Sequence, residues 1–198
     1  MDPCDQDLKD SLSADLETYF PLLVLIYQDK LYRFVLHMLL HQQDAEDIVQ
    51  DVFIKVYKAL VHFTPSELQE LKLEAWLFTI AKNLSLNHVK RRGRDLAHTA
   101  PLDVQENGLC FEEIIPVQCR TPEEDAASNE SREELYRCIK QLSLPLRTSV
   151  VLYYFLDFTY DEIAEILNRS VNTVKCNGWR GVQKLKAMMS ASAQRKEE

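Results

Sequence analysis

Apolar side chains return at steps of three and four along residues 45–60: Ala45, Ile48, Val49, Val52, Phe53, Val56, Tyr57 and Leu60. That period gathers them on one side of an α-helix and does not fit the two-residue alternation of a strand. It predicts a helix behind an Asp44 N-cap, with Asp51 set four residues before Lys55. A less regular version runs from Leu16 to about His41 through Tyr19, Phe20, Leu23, Ile26, Leu31, Phe34, Val35, Met38 and Leu39, with a break or kink expected at Pro21. Beyond a polar connection that follows Thr64 and Pro65, the residues Trp76, Leu77, Ile80, Ala81 and Leu84 predict a helix from about Leu73 to Arg92, with Gly93 as its stop. Only four glycines in 198 residues, 46% of them hydrophobic, suit long helices better than a turn-rich sandwich.

Residues 95–131 lose this periodicity, carry Pro101, Pro116 and Pro122, and are acidic, so they read as a flexible linker with one short ordered patch near 109–115. After it, helices are predicted at about 135–142, 146–156, 160–167 and 171–189, with Pro145 in a first turn and Thr159 and Ser170 as N-caps. The expected fold class is all-α: two small helical domains, 16–94 and 132–189, joined by the acidic linker 95–131. An acidic tail, 1–15, precedes them and a short tail, 190–198, follows. Each domain is large enough for a modest core.

A formal net charge of −8 taken alone speaks against a nucleic-acid partner, because phosphate contacts draw on Lys and Arg. The distribution of charge points the other way. Acids crowd the first twenty residues and the linker, whereas Lys90, Arg91, Arg92 and Arg94 form a basic block. Cys4, Cys110, Cys119, Cys138 and Cys176 show no CxxC pair and no His at zinc-ligand spacing, so reduced thiols are expected and no metal. No cofactor is implied. The most apolar run, 20–27, is too short to cross a bilayer, and no signal peptide opens the sequence; a cytoplasmic, soluble chain without membrane insertion is expected. An enzyme is not expected, since no phosphate-cradling glycine loop occurs and no His pairs with a nucleophile.

The segment 159–185 has the spacing of a helix-turn-helix. Ala164 is small enough for a close crossing, Ile163, Leu167 and Val174 supply a local core, and Asn168 can take a left-handed turn conformation. On the outer face of the second helix stand Asn172, Thr173, Lys175, Cys176, Asn177 and Arg180, available to bases or phosphates. Two amphipathic helices meeting in a plain bundle would look similar. DEIAEIL, then Ser170, then TVK resembles region four of the extracytoplasmic-function sigma factors, the domain that reads the upstream promoter element. Where that family commonly continues with Ser-Arg-Leu and an Arg-Ala-Arg run, this chain has Cys176-Asn177-Gly178 and Arg180-Gly181-Val182, losing two cations. Two helix-interior glycines cost roughly 1 kcal/mol each against alanine, and Trp179 is the residue expected to repack over the gap.

In the first half, Thr79, Asn83, Asn87 and Lys90 form a polar stripe that continues into Arg91, Arg92 and Arg94, a mixture suited to base edges and phosphates but also to a solvated face. DAEDIVQDVF followed by AWLFTIAKNLSLNHVKRR is similar to region two of the same sigma factors. The resemblance implies that Asp44, Glu46, Asp47, Val49, Gln50 and Phe53 lie on or near the helix that grips core RNA polymerase. It further implies that Lys82, Asn83, Asn87, Lys90, Arg91 and Arg92 face downstream promoter DNA, and that His62, Phe63 and Thr64 begin a loop capturing an extruded base. An anti-sigma factor is an implied partner. The function so implied is an alternative sigma factor that binds core polymerase, recognises a bipartite promoter and assists its opening. The competing reading is a sigma-like decoy or adaptor that binds a regulatory protein in place of promoter DNA, motivated by the altered recognition helix and the acidic balance. A helix-turn-helix regulator that acts apart from polymerase would leave the first half unexplained.

Overall fold

The computed structural model describes residues 3–96 and 133–196, in two compact units; the linker 95–131 lies almost wholly outside the described residues. Among the described residues every regular element is a helix. The first unit contains α1 (Pro3–Ala14), α2 (Leu16–Leu39), α3 (Gln42–Leu60), α4 (Pro65–Glu70) and α5 (Leu73–Leu96). The second contains α6 (133–140), α7 (Leu144–Tyr154), α8 (Tyr160–Leu167) and α9 (Val171–Lys196).

In the first unit α2, α3 and α5 pack against one another. Leu31, Phe34 and Val35 of α2, Val52 and Val56 of α3, and Leu77, Phe78 and Ala81 of α5 are fully or nearly fully buried. The rings of Phe34 and Phe78 meet with centroids 5.2 Å apart. The acidic segment 1–15, expected as a tail, is helical from Pro3. It buries Leu8 and Leu12 as α1 packs on α2 and α4. Asp7 and Asp10 stand exposed beside that apolar pair and mask it in composition.

Three local expectations change. Pro21 does not interrupt α2, which runs on because Leu23, Tyr27 and Leu31 beyond it are buried. Leu40 takes a left-handed conformation (φ 58°), so α3 begins at Gln42 with His41, not Asp44, as its N-cap; the Asp44 amide donates to His41 Nδ1 at 3.3 Å. Gly93 does not end α5, which continues to Leu96, since a terminating glycine needs a positive φ and no described glycine has one.

The connection after Thr64 holds a further helix, α4. The Thr64 amide and hydroxyl both donate to Glu67 Oε2 at 2.8 Å, and the Glu67 amide returns a bond to Thr64 Oγ1 at 3.3 Å. This capping box, with Pro65 in the first turn, starts the helix, and the same bonds hold the Glu67 carboxyl below its usual range.

In the second unit α7 packs along α9. The N-caps fall as the sequence predicts: the Thr159 amide donates to Glu162 Oε2 at 2.8 Å, and the Thr173 amide donates to Ser170 Oγ at 3.2 Å. Asn168 takes φ 50°, and the Arg169 amide closes the turn on the Ala164 carbonyl at 3.0 Å. α7 starts two residues earlier than expected, with Pro145 in its first turn. Arg147, buried in this unit, donates to the carbonyls of Lys140 at 3.1 Å and Leu142 at 3.4 Å, satisfying groups that the end of α6 leaves open.

Candidate functional site

Two faces at identical spacing line a concavity of the first unit. Lys55, Lys58, Ala59 and His62 stand at i, i+3, i+4 and i+7 along α3 and just past its end, and Ile80, Asn83, Leu84 and Asn87 repeat that spacing on α5. Between them lies an open cleft of about 540 Å³. Ala59, Ile80 and Leu84 give it an apolar lining, Asn83 and Asn87 supply amides, and Lys55, Lys58 and His62 surround these with donors. That combination can receive a planar, partly polar group attached to an anionic chain. Asn83, Asn87 and His62 were legible in sequence. Lys55 and Lys58 were not, because a lysine pair on an amphipathic helix looks like solvated surface until the neighbouring helix is known.

Other expected contacts of that region are placed differently. Lys90 and Arg91 are exposed beyond the cleft on α5. Lys82 stands on a different stripe of α5, shared with Phe78 and Ser85, and not in the row of Asn83 and Asn87. Phe63 is half-buried, its ring centroid 5.5 Å from that of Trp76. Thr64 is committed to the α4 capping box. Phe63 and Thr64 thus hold the loop in place, and His62 alone of the three lines the cleft.

The expected polymerase-binding set also splits. Glu46, Asp47 and Gln50 are exposed, and beside them on α3 are exposed Asp51 and Ile54, the latter 52% open to solvent. Val49 and Phe53 face inward. Phe20 of α2 meets Phe53 edge-on at 6.4 Å and Tyr57 at 5.0 Å, so these apolar positions build the α2–α3 seam. Asp44 is held within the unit: Arg92 Nη1 pairs with its Oδ2, His88 Nε2 lies 3.1 Å from the same oxygen, and His41 Nδ1 lies 3.4 Å from it. Arg92 is thereby engaged by a carboxylate.

On α9, Asn172, Lys175, Cys176 and Arg180 are exposed along one face, Asn177 is half-buried, and Thr173 carries a cap bond to Ser170 as well as an exposed surface. Cys176 and the buried Cys138 are both unpaired thiols. α9 is unbroken through Gly178 and Gly181. Trp179 does not cover the glycines, being 64% exposed. Tyr160 covers Gly178, its Cε1 4.0 Å from where a β-carbon would stand, while Val150 and Leu146 of α7 cover Gly181. The Tyr160 ring stacks on Tyr153 at 4.3 Å, with the Lys175 ammonium 5.6 Å from its centroid. The glycines allow close packing and leave the outer face intact. Among the described residues no group of His, Cys, Asp and Glu could hold a metal, and no helix is long and apolar enough to cross a membrane.

Comparison with known proteins agrees with this division. Residues 23–95 match the family described as Sigma-70 region 2, and residues 132–185 match Sigma-70, region 4. The chain is 31% identical over 170 residues to the ECF RNA polymerase sigma factor SigW of Bacillus subtilis, covering 86% of this chain and 88% of that protein. It is 31% identical over 180 residues to the RNA polymerase sigma-H factor of Pseudomonas aeruginosa, covering 89% of each. The sigma factor RpoE, solved in complex with the anti-sigma factor NepR from Bartonella quintana, shares the fold with a TM-score of 0.69 at 22% identity, over 86% of this chain and 96% of that one.

Proposed function

The chain belongs to the extracytoplasmic-function class of RNA polymerase sigma factors, and from that membership we propose how its surfaces divide the work of starting a transcript. It is an alternative sigma factor that joins core RNA polymerase, recognises a bipartite promoter and assists its opening. Residues 16–94, with α1 packed against them, serve core polymerase and the downstream element; residues 132–189 serve the upstream element, with α9 running on through the expected tail to Lys196; residues 95–131 connect the two. The protein performs no chemistry of its own and works in the cytoplasm, where an anti-sigma protein holds it inactive.

The cleft between α3 and α5 carries the assignment of the downstream site. Pulling a base from the duplex costs a few kcal/mol, which a receiving site must offset. Here Ala59, Ile80 and Leu84 can pack on a base face, Asn83 and Asn87 can bond its edge, and Lys55, Lys58 and His62 can meet the flanking phosphates. Lys90 and Arg91 extend this track. Asn172, Lys175, Cys176 and Arg180 of α9 are placed to enter the major groove of the upstream element, with Thr173 and Asn177 at the margin. The exposed acidic and apolar side of α3, made by Glu46, Asp47, Gln50, Asp51 and Ile54, suits a basic helical surface on polymerase. An unbroken α9 favours promoter reading over the decoy alternative.

The test is transcript formation by core polymerase on a fragment library of the source genome, with and without the chain. Discrete start sites that require the chain support the assignment. Core binding without any new start site would favour the decoy.

A further inference from the structure

Asp44 stands where resemblance alone would have it meet polymerase, but its own unit surrounds it. Its side chain is 19% exposed; its Oδ2 pairs with the guanidinium of Arg92, and His88 Nε2 lies 3.1 Å from the same oxygen. Arg92 and His88 are one turn apart near the end of α5, whereas His41 is the N-cap of α3 and also accepts the Asp44 amide at 3.3 Å. A single exposed ion pair would count for little. Here the carboxylate is largely enclosed by its own unit, and its pair with Arg92, made beside His88, joins the last turns of α5 to the first turn of α3. The next acids of α3, Glu46 and Asp47, are exposed in contrast.

The bearing of α5 at that end decides where Asn83, Asn87, Lys90 and Arg91 point. We infer that Asp44 is a positioning residue for promoter engagement: by gripping Arg92 and His88 it aims the polar and basic face of α5 along the DNA strand, and it takes no part in holding polymerase. Arg92 then serves as the far end of this tie and not as a phosphate contact. The inference rests on the sigma-factor reading of the chain.

The experiment uses the full chain with core polymerase and compares the unaltered protein with Asp44→Asn, Arg92→Gln and the double variant, with Asp47→Asn as a surface comparison. Core affinity, holoenzyme affinity for a partly single-stranded promoter fragment, and thermal unfolding are measured together. Asp44→Asn is expected to leave core affinity within about twofold and weaken the promoter fragment by roughly five- to twentyfold. Arg92→Gln should do the same, and the double variant should lose no more than either single one, as required of two ends of one tie. Asp47→Asn should instead weaken core binding. Loss of core affinity by Asp44→Asn with promoter affinity intact overturns the inference, as do additive losses in the double variant, or a fall in unfolding temperature accompanied by equal loss of both affinities. If the unaltered holoenzyme shows no specific promoter binding, the sigma-factor reading fails and this inference with it, an outcome distinct from the others.

Discussion

A β-carbon placed on Gly181 of α9 would stand 2.5 Å from Val150 Cγ2 of α7 and 3.4 Å from the Leu146 carbonyl oxygen. Helix α7 therefore sits directly on the backbone of α9, and the absent side chain is what permits it. Gly178, three residues earlier, has only Tyr160 Cε1 nearby, at 4.0 Å.

Alanine should act in opposite directions at these two glycines. At Gly178 it meets an ordinary contact and gains helix propensity, stabilising the second unit by about 0.5–1 kcal/mol. At Gly181 the same gain is outweighed by overpacking against a stiff valine and a backbone carbonyl, a cost of about 1–3 kcal/mol, so net destabilisation near 1 kcal/mol is expected. Denaturant melts of the full chain measure both, and adding Val150→Ala should recover part of the Gly181→Ala loss. A Gly181→Ala protein more stable than its parent would contradict the close approach.

Alkaline stability depends on Tyr136. Desolvation by burial pushes its phenol from 10.0 up to about 12, opposed in part by Arg147. The folded state thus prefers the neutral phenol, while the unfolded chain ionises near the ordinary value. Its contribution is complete below pH 10 and is lost as pH rises from 10 to about 12. In melts across that window Tyr136→Phe should lose stability less steeply than the parent, and the two should run parallel below about pH 9. Equal slopes throughout would show that the phenol titrates as it does in the unfolded chain.

The long helices and the caps of the second unit were readable because the signals are local. Thr159 with Glu162 three residues on, Ser170 before the recognition helix, and Asn168 in the turn each report on neighbours along the chain. What remained hidden depends on neighbours across it. Val49 and Phe53 look like partner contacts until Phe20 of α2 is seen to pack against Phe53. Asp44 reads as a cap until Arg92, forty-eight residues away, takes its carboxylate. Lys55 and Lys58 become cleft residues only once Asn83 and Asn87 face them. The glycines read as losses because sequence records the missing side chain and not the helix occupying its place.

The cleft makes separable predictions for its amides and its cations. Asn83→Ala with Asn87→Ala should reduce promoter opening about tenfold or more while leaving core affinity unchanged, since each lost base-edge contact is worth about 1–3 kcal/mol. Lys55→Gln with Lys58→Gln should lower affinity for a partly melted promoter across sequences and reduce its salt slope by about 1.4, roughly 0.7 for each phosphate contact on a single strand. A lysine pair that changes the slope by nothing would place the strand outside the cleft, and normal opening by the amide pair would remove the base from it.

The division of α3 into an inner and an outer face is testable by the kind of damage each side suffers. Ile54 is exposed on the side that carries Gln50 and Asp51, while Phe53, one residue away, is buried in the seam with α2. Ile54→Asp should therefore weaken core polymerase binding by about tenfold or more with little change in unfolding temperature, because a charge placed in a desolvated contact costs several kcal/mol only once the complex forms. Phe53→Ala should do the reverse in stability, costing about 3–5 kcal/mol of folding free energy, and any loss of polymerase binding should follow the fraction unfolded. Binding titrations at a temperature where both proteins remain folded separate the two effects. Equal loss of core affinity there by a folded Phe53→Ala protein would return that residue to the polymerase contact.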